Sequence, residues 1–309
     1  MILTVTLNTA LDITYRVRSL RPHSSHRVSE VTERPGGKGV NVARVLAALG
    51  HEVTVTGFTG GATGRVVQEL LAPVPGIVDA LIPITGTTRR TIAVADDLTG
   101  DTTQLNEPGP TITPTEWSAF QEAYETLLAS ASAVALCGSL PPGVPVGAYA
   151  GLVRTARSCS VPVLLDTSGE PLRRGVAARP DIIKPNTDEL AELTGSHDPL
   201  RATQDARRRG AHAVVASLGA EGLLAVSPEG RWRATPPALV RGNPTGAGDS
   251  AVAGLISGLV EDLPWPDRLT RAVALSSATV TAPVAGEFDR GVYEELLGRV
   301  TVTGEASAA

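Results

Sequence analysis

Short apolar runs punctuate the chain at Ile2–Leu7, Val53–Phe58, Val134–Cys137, Val161–Leu165, Ile182–Lys184 and Val214–Leu218. None alternates strictly between apolar and polar positions. A strand with one wet face alternates, whereas a strand covered on both faces does not. The runs therefore read as buried strands of a mostly parallel sheet. Helical patterns fall between them. Val42, Leu46 and Leu49 stand at i, i+4 and i+7, and Gly50 is placed to end that helix. Thr187–Leu193 and Gly246–Leu259 read as further helices. Alternating strands and helices predict a doubly wound α/β fold.

Four other segments, Ile13–Val17, Arg27–Thr32, Thr91–Ala95 and Thr102–Leu105, look like short alternating strands with no helix inside either pair. They predict a small second sheet, a lid, drawn from about residues 13–32 and 89–105. The reading is one domain over residues 1–300. The last residues, 301–309, read as a disordered tail.

Composition narrows the function classes. With 309 residues, 42% of them hydrophobic, the chain can bury a large core. The net charge of −5, without a basic stripe interleaved with aromatics, argues against a nucleic-acid partner. No apolar run is long enough to span a membrane. Asp12 arrives too early, and a basic lead is missing, for a secretory signal. Cys137 and Cys159 form no CxxC and read as reduced thiols, so the expected location is the cytoplasm.

The candidate chemistry sits at turns that enter helices. In Asn243-Pro-Thr-Gly246-Ala-Gly-Asp249-Ser250, Gly246 and Gly248 allow a tight turn. The amides of Gly246, Ala247 and Gly248 then offer a seat for an anion. Asp249 is either a base that takes a proton from an attacking hydroxyl or an ordinary N-cap. As a base at a helix start, it is expected to be ionised at neutral pH.

Pro35-Gly36-Gly37-Lys38-Gly39-Val40-Asn41 is a second glycine-rich helix entry, adding a cation and an amide. It reads as close approach of backbone to a ligand, or as a plain turn. In Lys184-Pro-Asn186-Thr-Asp-Glu189, the pair Asn186 and Glu189 could hold Mg²⁺ through waters. The same pair also fits a capping box. Ser217-Leu-Gly219-Ala-Glu-Gly222 reads as a turn between strands that could lie along a nucleotide. His23 and His26 find no third metal ligand. GxxxxGK[ST], GxGxxG and GxSxG are all missing, which disfavours a Walker A loop, a dinucleotide fold and a hydrolase elbow.

Taken in order, these segments resemble the ribokinase-like carbohydrate kinases, the PfkB family, over about residues 1–300. Thr6-Leu-Asn8-Thr-Ala-Leu-Asp12, Cys137-Gly-Ser139-Leu-Pro-Pro-Gly143 and Asp166-Thr-Ser-Gly169 resemble its sugar-monophosphate branch, 1-phosphofructokinase and tagatose-6-phosphate kinase. Thr88-Arg89 and Glu107-Pro-Gly-Pro110 fit that branch too. The resemblance implies ATP and Mg²⁺ as cofactors and a homodimer joined through the lid. It puts Asp12 on the sugar hydroxyls, with Gly37, Lys38 and Asn41 along the sugar. It puts Ser139 on the substrate and sets Arg89 by the substrate's phosphate, with the neighbouring Arg90 as the competitor. Lys184, Asn186, Ser217, Gly219 and Gly222 follow the nucleotide, and Ala278–Glu287 lies near the adenine. The reaction implied is phosphorylation of a ketohexose monophosphate with Asp249 as base. Kinases of free sugars or nucleosides on this fold, and a non-catalytic sugar-phosphate sensor, are the alternatives.

Overall fold

The computed structural model describes residues 1–237, 242–282 and 286–306. A ten-stranded sheet forms its centre. Seven of its strands run parallel: β1 (Ile2–Thr6), β4 (Val53–Thr59), β5 (Ile77–Pro83), β8 (Ala133–Cys137), β9 (Val163–Asp166), β10 (Ile182–Ile183) and β11 (Ala213–Ser217). β12 (Leu223–Ser227), β13 (Gly230–Thr235) and β14 (Thr301–Ala306) extend one edge antiparallel. The order is β14-β13-β12-β11-β10-β9-β8-β1-β4-β5.

The apolar runs become strands because both their faces are covered. Ile2 and Ala133 belong to one core, Leu3 and Val134 to another on the opposite side of the sheet. Helices α1 (Lys38–Ala48), α2 (Gly61–Leu71), α8 (Ala247–Val260) and α9 (Trp265–Val280) cover the first side, and α3 (Pro114–Leu128), α4 (Ala148–Ser158), α5 (Gly169–Ala177), α6 (Thr187–Thr194) and α7 (Pro199–Arg208) the second. The first of these ends as the sequence predicts. Gly50, at φ 94°, closes it with His51 N–H donating to Leu46 O and Gly50 N–H to Ala47 O, a Schellman motif. No helix among the described residues is long and apolar enough to cross a membrane.

A separate four-stranded sheet has the order β3-β2-β6-β7, from β2 (Ala10–Val17), β3 (Glu30–Gly36), β6 (Arg89–Asp96) and β7 (Thr102–Asn106). Its two antiparallel pairs are joined by a parallel β2–β6 contact. This is the predicted lid. The tail is a correction. Thr301–Ala306 is not frayed but pairs with Gly230–Thr235, and Val302 packs on the core beneath. Residues 307–309 lie outside the described residues. β5 was not foreseen either, because an edge strand with Asp79 and Pro83 lacks a continuous apolar run.

The topology places the chemistry. Chain order moves outward from β1 to β4 and β5, then returns to β8 on the other side of β1. Ligands of such sheets bind beyond the carboxyl ends of the strands at that reversal. There β8 delivers Ser139, β9 ends at Asp166, β10 leads to Lys184 and β11 ends at Ser217.

Candidate active site

One face of α1 carries a polar residue on each successive turn, and each holds a carboxylate. Lys38 Nζ lies 3.3 Å from Asp166 Oδ2. Asn41 Nδ2 donates to Asp249 Oδ2 at 2.9 Å. Arg44 Nη2 donates to Glu287 Oε1 at 2.6 Å. Gly37, at φ 100°, gives the turn that starts the helix. Gly36 clears space for a neighbour, since a Cβ there would meet the Asp12 carboxyl carbon at 2.2 Å.

Asp166 is buried at the end of β9, with Lys184 Nζ 3.3 Å from its Oδ1. Burial opposes its ionisation, but Lys184 and Lys38 together hold its pKa below the usual carboxylate value. Asp166 in turn raises the pKa of Lys38. Each ammonium carries three N–H donors, so sharing one carboxylate leaves both with donors to offer an anionic ligand.

Asp249 is not an N-cap. Gly246, at φ 85°, occupies that position without a side-chain bond, and Asp249 is the third residue of α8. Its carboxylate reaches across to Asn41 instead of capping its own helix. Burial pushes its pKa up to about 6; Lys38 opposes the rise, the Asp166 charge adds to it, and Asn41 and Lys184 oppose it. The helix dipole alone predicts a carboxylate held low, but burial at 7% exposure outweighs it. The side chain is still mostly ionised at pH 7, as expected. Two details of the glycine turn differ from expectation. Gly248 lies inside the helix and bends nothing. The Ala247 amide is already engaged by Pro244 O at 3.1 Å.

Asp12 lies on the lid strand facing the cavity, its pKa raised by burial against the pull of Thr91, Arg89 and Arg44. The adjacent arginines separate. Arg89 lines the cavity, its Nε donating to Asn8 O at 3.1 Å and Nη1 to Glu107 O at 3.3 Å. Arg90 points to the surface, where Glu107 pairs with it at 2.7 Å. Ser139 Oγ accepts from Asn8 Nδ2 at 3.1 Å, which ties the β8 turn to the end of β1.

Two cavities meet at the start of α8. One, of about 860 Å³, holds Asp12, Lys38, Arg89, Ser139, Asp166 and Asp249. The other, about 900 Å³, is lined by Gly219, Gly222, Ala247, Ala251, Val273 and Val280. Asn186, Ser217 and Gly248 border both. Ser217-Leu-Gly219-Ala-Glu-Gly222 is the predicted turn, a single 3₁₀ turn joining β11 to β12. Asn186 and Glu189 do form a capping box. Glu189 N–H donates to Asn186 Oδ1 at 2.8 Å, and Asn186 N–H to Glu189 Oε2 at 2.9 Å. Of Ala278–Glu287, expected near adenine, residues 283–285 lie outside the described residues, and Val280 lines the second cavity.

A family model described as pfkB family carbohydrate kinase matches residues 5–289. The chain belongs to the pfkB carbohydrate kinase family. It is an ATP-dependent sugar kinase. Solved structures agree. Escherichia coli phosphofructokinase-2 in complex with fructose-6-phosphate is 29% identical with a TM-score of 0.89, over 96% of this chain and 98% of that one. A Thermotoga maritima protein described as a possible 1-phosphofructokinase is 26% identical with a TM-score of 0.89, over 99% of each chain.

In this kinase the sequence reading missed three polar residues beside the cavity. Asp166 was visible as part of a family motif, but its service to two lysines was not. Asn8 likewise stood inside a quoted motif, Thr6–Asp12, without a role; Arg44 carries no sequence signal except that it is polar within an apolar stretch.

Proposed function

We propose that this kinase transfers the γ-phosphoryl of ATP to a hydroxyl of a ketohexose monophosphate, with Asp249 as the base. Arg89 carries the reading. Its guanidinium is half-buried in the lid-side cavity, and no carboxylate among the described residues lies within ion-pair distance; main-chain oxygens and Thr91 Oγ1 hold it. Burial pushes its pKa down, against Asp12 and Glu107. A partly buried cation without an ion pair is costly until a ligand anion arrives, and the fork of Arg fits a phosphate.

The rest of the site divides by charge. Asp12 and Ser139 offer oxygens to sugar hydroxyls. Lys38, Lys184 and the first-turn amide of Gly248, one of those a helix leaves without an internal carbonyl, face the transferring phosphoryl. With Oδ2 of Asp249 engaged by Asn41, Oδ1 is the oxygen assigned to the incoming hydroxyl. The second cavity takes the nucleotide.

No cluster of three or more metal-ligating side chains occurs among the described residues. That fits Mg²⁺ better than a fully caged ion, since Mg²⁺ keeps waters and leans on substrate phosphates. Asn186 and Glu189 would hold it through water, the Glu189 Oε1 oxygen having no part in the capping box. Mg²⁺, when bound, neutralises charge on the ATP phosphates.

A coupled ADP-release assay over fructose 1-phosphate, fructose 6-phosphate, tagatose 6-phosphate and free fructose tests the substrate class. At least one phosphate ester is expected to exceed free fructose in kcat/KM by about 100-fold, the order of a desolvated charge pair. Equal or better use of free fructose overturns the reading.

We also propose a homodimer through the lid. Val31 and Leu105, on its two outer strands, are 56% and 58% exposed. Apolar side chains on edge strands call for cover, and a second lid supplies it. Sedimentation at micromolar concentration is expected to give a dimer, and a monomer alone removes the proposal.

A further inference from the structure

Arg44 stands one turn beyond Asn41 in α1, with a side chain only 10% exposed. The Glu287 oxygen that accepts from it also lies 3.5 Å from Arg34 Nε, on lid strand β3. Gly286, just before, rests on the same turn of α1. A Cβ there would fall 2.8 Å from Arg44 Nη1 and 3.1 Å from Asn41 Oδ1. Residues 286–287 therefore form a wall against the oxygen end of the Asn41 amide, while its nitrogen end holds Asp249. A free amide can turn over and offer oxygen to a carboxylate, replacing attraction by repulsion. The two ends are nearly equal in size, so the Asp249 carboxylate itself selects the N–H end, and the wall fixes where the amide as a whole sits.

We propose that Arg44 and Glu287 are positioning residues: their ion pair holds the wall that fixes Asn41, and through it the carboxylate of Asp249. Arg34 shares the same carboxylate oxygen, so the position of the lid bears on the alignment of the base. Neither Arg44 nor Glu287 needs to touch substrate. Arg44 is the anchor, being buried in the helix face, while Arg34, 40% exposed and more distant, adds a weaker bond. The inference rests on Asp249 being the proton acceptor. Lys38 from α1, Asp166 from β9 and Lys184 beyond β10 also face Asp249, and the variants below leave them in place.

The test measures kcat and KM from pH 5 to 9 for wild type, Glu287→Gln, Arg44→Lys and Arg44→Met. The acceptor is whichever of the three ketohexose phosphates or free fructose wild type turns over. Glu287→Gln is expected to lower kcat about tenfold, as a base displaced by a fraction of an ångström would. KM for ATP stays within about twofold, since uniform binding is untouched. The acid limb of the profile moves up, because Asn41 no longer favours the charged carboxylate. Arg44→Lys retains more kcat than Arg44→Met. Wild-type kcat and an unmoved acid limb in folded Glu287→Gln overturn the proposal. So does a loss shared equally by kcat and KM with an unmoved limb, which marks a merely structural pair. If Arg44→Met does not fold, the more exposed Glu287→Gln decides alone. Preference for free fructose would sink the substrate reading and leave this series fully readable. Full activity in Asp249→Asn would instead sink the base reading on which it rests.

Discussion

Asp249→Asn is expected to lower kcat by about 10²–10⁴, the usual worth of general-base help, with KM for ATP and sugar nearly unchanged. The substitution keeps the shape, and the new amide oxygen can still accept from Asn41 Nδ2. What it removes is the ability to take a proton. Because α8 is capped by Gly246 rather than by this side chain, lost capping cannot account for a large fall in rate. The pH profile sharpens the test. The base must be unprotonated, and burial sets its pKa at about 6, so wild-type kcat/KM falls as pH drops through about 6. The variant loses that limb. Steady-state kinetics from pH 5 to 8 measure both effects; a variant keeping more than about a tenth of wild-type kcat falls short of that range and removes Asp249 from the chemistry.

Arg89→Ala is expected to raise KM for the sugar phosphate about 100-fold, with kcat falling less. A forked guanidinium–phosphate contact joins two charge-assisted bonds, each worth roughly 1.5–3 kcal/mol, and it exists in ground and transition states alike. Arg89→Lys recovers only part of the affinity, since an ammonium cannot reproduce the fork. Arg90→Ala, cutting an exposed pair with Glu107, should change KM by less than about threefold. A reversed ranking of Arg89→Ala and Arg90→Ala would show that the phosphate sits elsewhere.

The arginines also show where sequence stops being informative. Neighbours on a strand face opposite ways, and nothing in Thr88-Arg89-Arg90 says which face is inward. The pairing of β6 with β2, which sets Ala10 opposite Arg89 and Asp12 opposite Thr91, decides it. By contrast, the glycine-rich helix entries were legible because tight turns and bare helix starts require particular residues. The buried strands were legible because continuous apolar runs have few other uses. The closing strand β14 was not. Thr301–Ala306 has little apolar content, and its order comes from β13, whose alternating pattern escaped notice. The dipole argument for Asp249 named a real force but not the larger one, since burial is a property of the finished fold. Arg44 was hidden for a similar reason: its partner lies far along the chain.

That distance has a consequence for how the site comes into being. The three carboxylates held by α1 belong to residues 128, 208 and 243 positions further along the chain than the groups that hold them. Closing loops of such length costs conformational entropy before any contact repays it, and contacts of large sequence separation slow folding. The helix can form early from its own C-terminal cap and apolar stripe, but its reactive face then looks out on solvent. No fragment spanning a single motif can assemble the phosphoryl-transfer centre. Catalytic competence belongs to the completed topology and is acquired only when segments from the start, middle and far end of the chain have met on one helix.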